Sequence, residues 1–192
     1  VVKYISYSQI SDIKSQIIDE VKGKKIFFIS AAAYTSDKLF ISETKDSLEK
    51  SFQVNLFNNI ELLQMLMSEA IKVKCGTFLF ISSFRSDMPT IGTSLYSSSK
   101  KYMESLFTGL AIEYSRFKLR FMSLKIGLYE GGLTKNLPFN IESEKIMKDN
   151  ISVGRVSNAK DIISAIRFIH ENEYINGTQL DMTGKLTIDL KI

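Results

Sequence analysis

Cysteine and histidine occur once each, as Cys75 and His170, proline twice, and tryptophan not at all. A single cysteine has no partner for an intramolecular disulfide, which fits a reducing compartment and leads us to expect a cytoplasmic protein. A single histidine makes a His-Cys metal site implausible, so no metal is expected; His170 is expected near a helix C-terminus, where a cation is favoured. Apolar runs fall short of the roughly 18 residues that a membrane span requires, and no leader pattern opens the chain. Charge of one sign is not abundant either: 25 basic and 21 acidic residues leave +4, with the lysines scattered rather than striped. Neither a membrane nor a nucleic-acid partner is expected on these grounds. Glycine is sparse where it would matter most, because no glycine-rich turn separates an opening strand from a helix to cradle a pyrophosphate. Residue 1 is Val and already belongs to an extended segment, so the N-terminus is expected upstream.

What is present is an apolar share of 44% over 192 residues, enough for one domain with a sizeable core, residues 1–192. Val1 to Ile5 reads as a strand, Ile10 to Val21 as an amphipathic helix ending at Gly23, and Lys25 to Ile29 as a second strand. A long helix over Ser47 to Lys72, a strand over Phe78 to Ile81, a helix from Ser94 and a strand over Leu119 to Ile126 follow. A helix around Ile162 and a strand after the Asn176-Gly177 turn close the chain. Such alternation predicts an α/β fold built on a doubly wound parallel sheet, with the active site beyond the carboxyl ends of the strands. The stretch from Leu133 to Asn150 carries no strand pattern and suits a lid.

The stretch from Gly76 to Lys100 carries the chemistry. A buried strand ends in Ser82-Ser83, and the next helix opens on Tyr96-Ser-Ser-Ser-Lys100. Tyr and Lys four apart share one helix face, so an ammonium can lie near a phenol. An unperturbed phenol titrates near about 10, too high for proton exchange at neutral pH, and a neighbouring cation lowers it. Tyr96 then suits an acid or base role, with the Ser83 hydroxyl polarising a carbonyl oxygen. The spacing alone is weak: composition gives about one such pair by chance, and the chain has three, Tyr34 with Lys38, Tyr96 with Lys100, and Tyr114 with Lys118. Only the middle one follows a strand ending in two serines.

Asn55, Ser83, Tyr96 and Lys100 together resemble the catalytic set of the classical short-chain dehydrogenases/reductases, in which the strand-end serine precedes the tyrosine by 13 residues, as here. The resemblance implies a Rossmann-like sheet lacking, in this chain, the N-terminal glycine-rich unit. It also implies NAD or NADP as cofactor and a small alcohol or carbonyl substrate. By the same resemblance Asn55 helps to hold a water connected to Lys100, while Ser30, Ala31, Ala32, Tyr96, Lys100, Gly127 and Leu128 border the cofactor. Ser30-Ala31-Ala32-Ala33 stands where the family has Asn-Asn-Ala-Gly, and Gly131 where it has a threonine that Thr134 could replace. Ser6 and Tyr7 replace its Asp-Val, Ile126-Gly127 its Pro-Gly, and Met182-Thr183-Gly184 its Asp-Gly-Gly. The Asn55 and Tyr96 helices build a four-helix interface in the family, so a homodimer or homotetramer is expected. The departures keep two alternatives open: a non-catalytic member retained for assembly or binding, and an epimerase or dehydratase using the same Tyr-Lys pair.

Overall fold

The structure, a computed structural model, describes residues 10–131 and 149–187. The expected opening strand, Ser6, Tyr7, Thr134 and nearly all of the expected lid lie outside the described residues.

Four parallel strands form one sheet in sequence order: β1 Ile26–Ser30, β2 Gly76–Ser83, β3 Leu119–Ile126 and β4 Gln179–Met182. Residue alternation along β2 decides which side chains meet which layer. Phe78 and Phe80 face α1 (Ile10–Val21), α3 (Asn58–Val73) and α4 (Ser94–Glu113), in a cluster with Leu63, Leu66, Met103, Phe107 and Phe121. Leu79 faces the opposite way, with Met122 and Leu124 against Ile169 of α5 (Ala159–Glu171). Helices thus cover both faces of a parallel sheet, the doubly wound arrangement expected from the alternating pattern.

The element boundaries follow local chemistry. Thr44 starts α2 (Lys45–Phe52), its hydroxyl accepting from the Ser47 N–H while Ser47 returns the bond to the Thr44 N–H. At the far end of α3, Lys74 adopts a left-handed φ of 50° and the Cys75 N–H reaches back to the Ala70 carbonyl. Asn158 caps α5 through the N–H groups of Lys160 and Asp161. The C-terminal end of α5 is held by Arg120 of β3, which donates to the carbonyls of Ile169, Asn172 and Ile175 at 3.2, 2.8 and 3.1 Å. The Asn176-Gly177 turn is tied to β3 as well: Asn176 Oδ1 accepts from the Phe121 N–H, and the Gly177 N–H donates to the Phe121 carbonyl, both at 2.9 Å.

Sheet register creates the opening on which the site depends. Ser30, the last residue of β1, pairs with Phe80, whereas β2 continues through Ile81, Ser82 and Ser83 alongside β3. On the β1 side, these last three residues of β2 have no strand beside them among the described residues. Phe78 sits in the centre of the sheet with no exposed surface, stacked on Phe121 at 4.9 Å between ring centroids. Phe78→Ala is expected to lower the unfolding free energy by about 3–5 kcal/mol, measured by urea denaturation.

Candidate active site

A cleft of 660 Å³ opens where β1 stops and β2 runs on. Its walls include Ala31, Ala32 and Ala33 after β1, Ser83 at the end of β2 and Arg85 just beyond it, Tyr96 and Lys100 from α4, and Gly127, Leu128 and Tyr129 after β3. Of the residues singled out in the sequence, Ala31, Ala32, Ser83, Tyr96, Lys100, Gly127 and Leu128 meet here. Ser30 and Asn55 do not line it.

Those two lie one layer behind, in a hydrogen-bonded network set up by an irregular helix. Between α2 and α3 the backbone widens into a π turn over Gln53–Phe57, where the Asn58 N–H bonds the Gln53 carbonyl. Asn59 satisfies the carbonyls this displaces, its Nδ2 donating to Val54 and Asn55 at 2.9 and 3.1 Å. The buried Ser30 hydroxyl donates to Asn59 Oδ1, which turns Ser30 away from the cleft. Asn55 meanwhile clasps the backbone of Tyr34: Oδ1 accepts from its N–H at 2.7 Å and Nδ2 donates to its carbonyl at 2.9 Å. Nδ2 also reaches Ser99 Oγ of α4 at 3.1 Å. The Asn55 carboxamide is therefore spent on positioning the alanine loop against α4. Asn59, missed in the sequence, carries as much of that network; its spacing of four residues from Asn55 was the available signal.

Ser83 and Tyr96 share the wall of the cleft, and the Ser83 oxygen accepts from the Arg85 N–H at 3.3 Å. Lys100 lies beneath them, its ammonium donating to the Ile81 carbonyl at 2.8 Å, 4.7 Å from the Phe80 ring centroid and 5.6 Å from that of Tyr96. The expected lowering of Tyr96 by Lys100 is not what this structure contains. Burial dominates and holds the phenol above its ordinary value, with the neighbouring Ser83 hydroxyl and the Arg85 charge pulling it back and Asp37 pushing it up. Burial equally disfavours the Lys100 ammonium and takes it down to about 7, with the charge of Glu104 opposing that fall.

Glu104 belongs to a buried charge cluster on the helix side of the cleft that sequence reading did not pick out. Its Oε1 accepts from Ser82 and Ser86 at 2.5 and 2.7 Å and lies 3.8 Å from the buried Lys125 ammonium. Asp87 bridges Lys125 and Lys101, and those two cations hold its carboxyl below the usual range.

Gly127 is glycine for a packing reason. A Cβ there would come within 2.7 Å of the Thr183 carbonyl oxygen beyond β4, so only a bare Cα lets the ends of β3 and β4 approach. The Leu128 carbonyl accepts from both the N–H and the hydroxyl of Ser157, at 2.9 Å each. Alanine and glycine at these positions keep the cleft floor clear of long side chains, which fits the flat nicotinamide and ribose half of a dinucleotide. Among the described residues no glycine-rich turn offers a place for the pyrophosphate.

A parallel sheet wound on both faces, with Ser83, Tyr96 and Lys100 at the carboxyl ends of its strands, defines a protein of the Rossmann-like class. The sequence profile of the short chain dehydrogenase family matches residues 2–141, and the chain belongs to that family of NAD- or NADP-dependent enzymes. Relatives include the 3-oxoacyl-[acyl-carrier-protein] reductase of Bos taurus, 25% identical over 90% of this chain and 71% of the relative. The Homo sapiens protein of the same name is 26% identical over 88% of this chain and 69% of its own length. A gluconate 5-dehydrogenase from Burkholderia cenocepacia, solved in complex with NADP and tartrate, has the same fold at a TM-score of 0.83 and 18% identity, over 93% of this chain and 71% of that one.

Two measurements test the geometry. Asn59→Leu removes the acceptor for Ser30 and the donor to two π-turn carbonyls, and is expected to cost about 2–4 kcal/mol in chemical denaturation. For Lys100, the folded value of about 7 lies below the ordinary 10.5, so the unfolded chain holds more protons between these limits and stability contributed by this residue rises with pH across that window. Lys100→Met is accordingly expected to exceed the native protein in stability near about pH 6 and to lose that advantage towards about pH 10, followed by thermal melts.

Proposed function

We propose that this protein interconverts an alcohol and a carbonyl compound with NAD or NADP, Tyr96 exchanging the proton. The observation that carries the reading is the meeting of Ser83, Tyr96 and Lys100 in the wall of one cleft, with the Lys100 ammonium 5.6 Å from the centroid of the Tyr96 ring. The nicotinamide, when bound, supplies or accepts the hydride. Ser83 donates to the substrate oxygen, and the Tyr96 hydroxyl passes its proton to the same atom as negative charge develops there. A phenol held high by burial stays protonated at neutral pH, which suits reduction of a carbonyl. The Lys100 ammonium has three donors, one committed to Ile81, leaving two for the ribose hydroxyls. Ala31, Ala32, Gly127 and Leu128 border the nicotinamide half. Asn55 acts as a positioning residue through Tyr34 and Ser99 rather than by touching the ligand.

Relatives named as 3-oxoacyl-[acyl-carrier-protein] reductases and a neighbour named as a gluconate 5-dehydrogenase support the alcohol and carbonyl class. The same reading carries a homo-oligomer, because Phe52, Phe57 and Tyr102 stand exposed on the α2, π-turn and α4 segments.

Tyr96→Phe is expected to reduce NAD(P)H-dependent carbonyl turnover by at least about 100-fold while leaving the far-UV spectrum and melting temperature near those of the native protein. Retention of full turnover by the folded variant refutes the assignment.

A further inference from the structure

We propose that Arg85 is the specificity-determining residue of the cleft, gripping an anionic oxygen group, carboxylate or phosphate, on the carbonyl substrate. The inference rests on the function proposed above and adds the class of substrate.

Arg85 follows Ser83 by two residues in the short turn Phe84–Ser86, so the strand end that presents the hydroxyl also presents the guanidinium. Its side chain is 23% exposed, lies over the Phe84 ring and borders the cleft. A guanidinium offers five N–H donors in a fixed fork. Among the described residues, none of the five makes a hydrogen bond. The facing anion is Asp37, and its Oδ1 stops 3.6 Å from Arg85 Nη1, beyond good hydrogen-bond length.

Asp37 is held at that distance by its own loop. Thr35 Oγ1 donates to the same Oδ1 at 2.9 Å, and the Asp37 backbone takes a left-handed φ of 49°. Gly92 packs on it so closely that a Cβ there would lie 3.2 Å from the Asp37 carbonyl carbon. Asp37 therefore keeps the guanidinium aimed without satisfying it. The donors that open to the cleft can exchange water for ligand oxygens, and a planar pair of anionic oxygens is the partner that fills the fork best.

The rest of the wall gives an anion no better place. Ile29, Ile81, Phe84, Ile126 and Leu128 are apolar, and the other cation, Lys100, donates to the Ile81 carbonyl and has its remaining donors assigned above to the ribose. Arg85 stands two residues after Ser83 and borders the same cleft, so an anion seated on it shares that cleft with Ser83 and Tyr96.

The test uses matched probes on the full chain: acetoacetate against methyl acetoacetate, and dihydroxyacetone phosphate against dihydroxyacetone. Each is followed by NADPH-dependent turnover and, without cofactor, by titration calorimetry. The native protein is expected to favour the anionic member of at least one pair by about tenfold or more, through KM, and Arg85→Gln to level that ratio. Which pair shows the preference distinguishes carboxylate from phosphate. Arg85→Lys is expected to keep only part of the preference, since the charge remains and the fork is lost. Asp37→Asn, which removes the competing carboxylate, is expected to tighten anion binding, and this opposite sign carries the test if Arg85→Gln fails to fold. Equal handling of both members by the native protein, with neutral probes turned over, overturns the inference and leaves the proposed function standing. Absence of turnover with all four probes counts against the proposed function instead; calorimetry then decides the inference, which stands if an anion binds and Arg85→Gln abolishes its heat, and falls otherwise.

Discussion

One extra residue in a helical turn organises the region behind the cleft. A regular helix from Lys45 to Val73 would present Asn55 and Asn59, four apart, on nearly the same face. Inserting the π turn over Gln53–Phe57 changes the phase between them and displaces two carbonyls from the regular ladder. Asn59 satisfies those carbonyls and receives Ser30 at the end of β1, while Asn55 is free to clasp the backbone after the alanines. Three otherwise separate pieces, the end of β1, the alanine loop and the start of α4, are thereby fixed by two carboxamides. Such a network pays off only when every member is satisfied, because an unpaired buried amide loses the water it would otherwise bind.

The other constraint is the unequal length of β1 and β2. Because β1 ends opposite Phe80, Ser83 is carried past the sheet edge to meet Tyr96, and the Ile81 carbonyl becomes the anchor for Lys100. Burial that closes the core on the helix side also desolvates the phenol and the ammonium. Both are moved toward their neutral forms, the phenol upward and the ammonium downward. A strong electrostatic coupling drawn from spacing alone overstates what a buried lysine delivers, since desolvation acts on the lysine before its charge can act on the tyrosine. The buried Glu104, one turn beyond Lys100 and fastened by two serine hydroxyls, partly opposes that loss.

Periodicity and punctuation made much of the architecture legible in the sequence. The strand Leu119–Ile126 and the start of the helix at Ser94 lie where the pattern put them. The alternation of elements implied helices on both faces of a parallel sheet, and the Asn-Ser-Tyr-Lys order marked the family. Local hydrophobic period and local spacing are properties of neighbouring residues, so a linear reading contains them. Hidden from it were the π turn, the partner of Ser30, the reason for glycine at 127, and the meeting of Arg85 and Asp37 in the wall of one cleft. Each of these depends on segments distant in the chain coming into contact. Gly127 answers to Thr183, Ser30 to Asn59, and Arg85 to a loop nearly fifty residues before it. Sequence by itself determined the layers and the reactive group types; tertiary packing alone decided which of those groups face the cleft, which support it from behind, and how burial sets their charge.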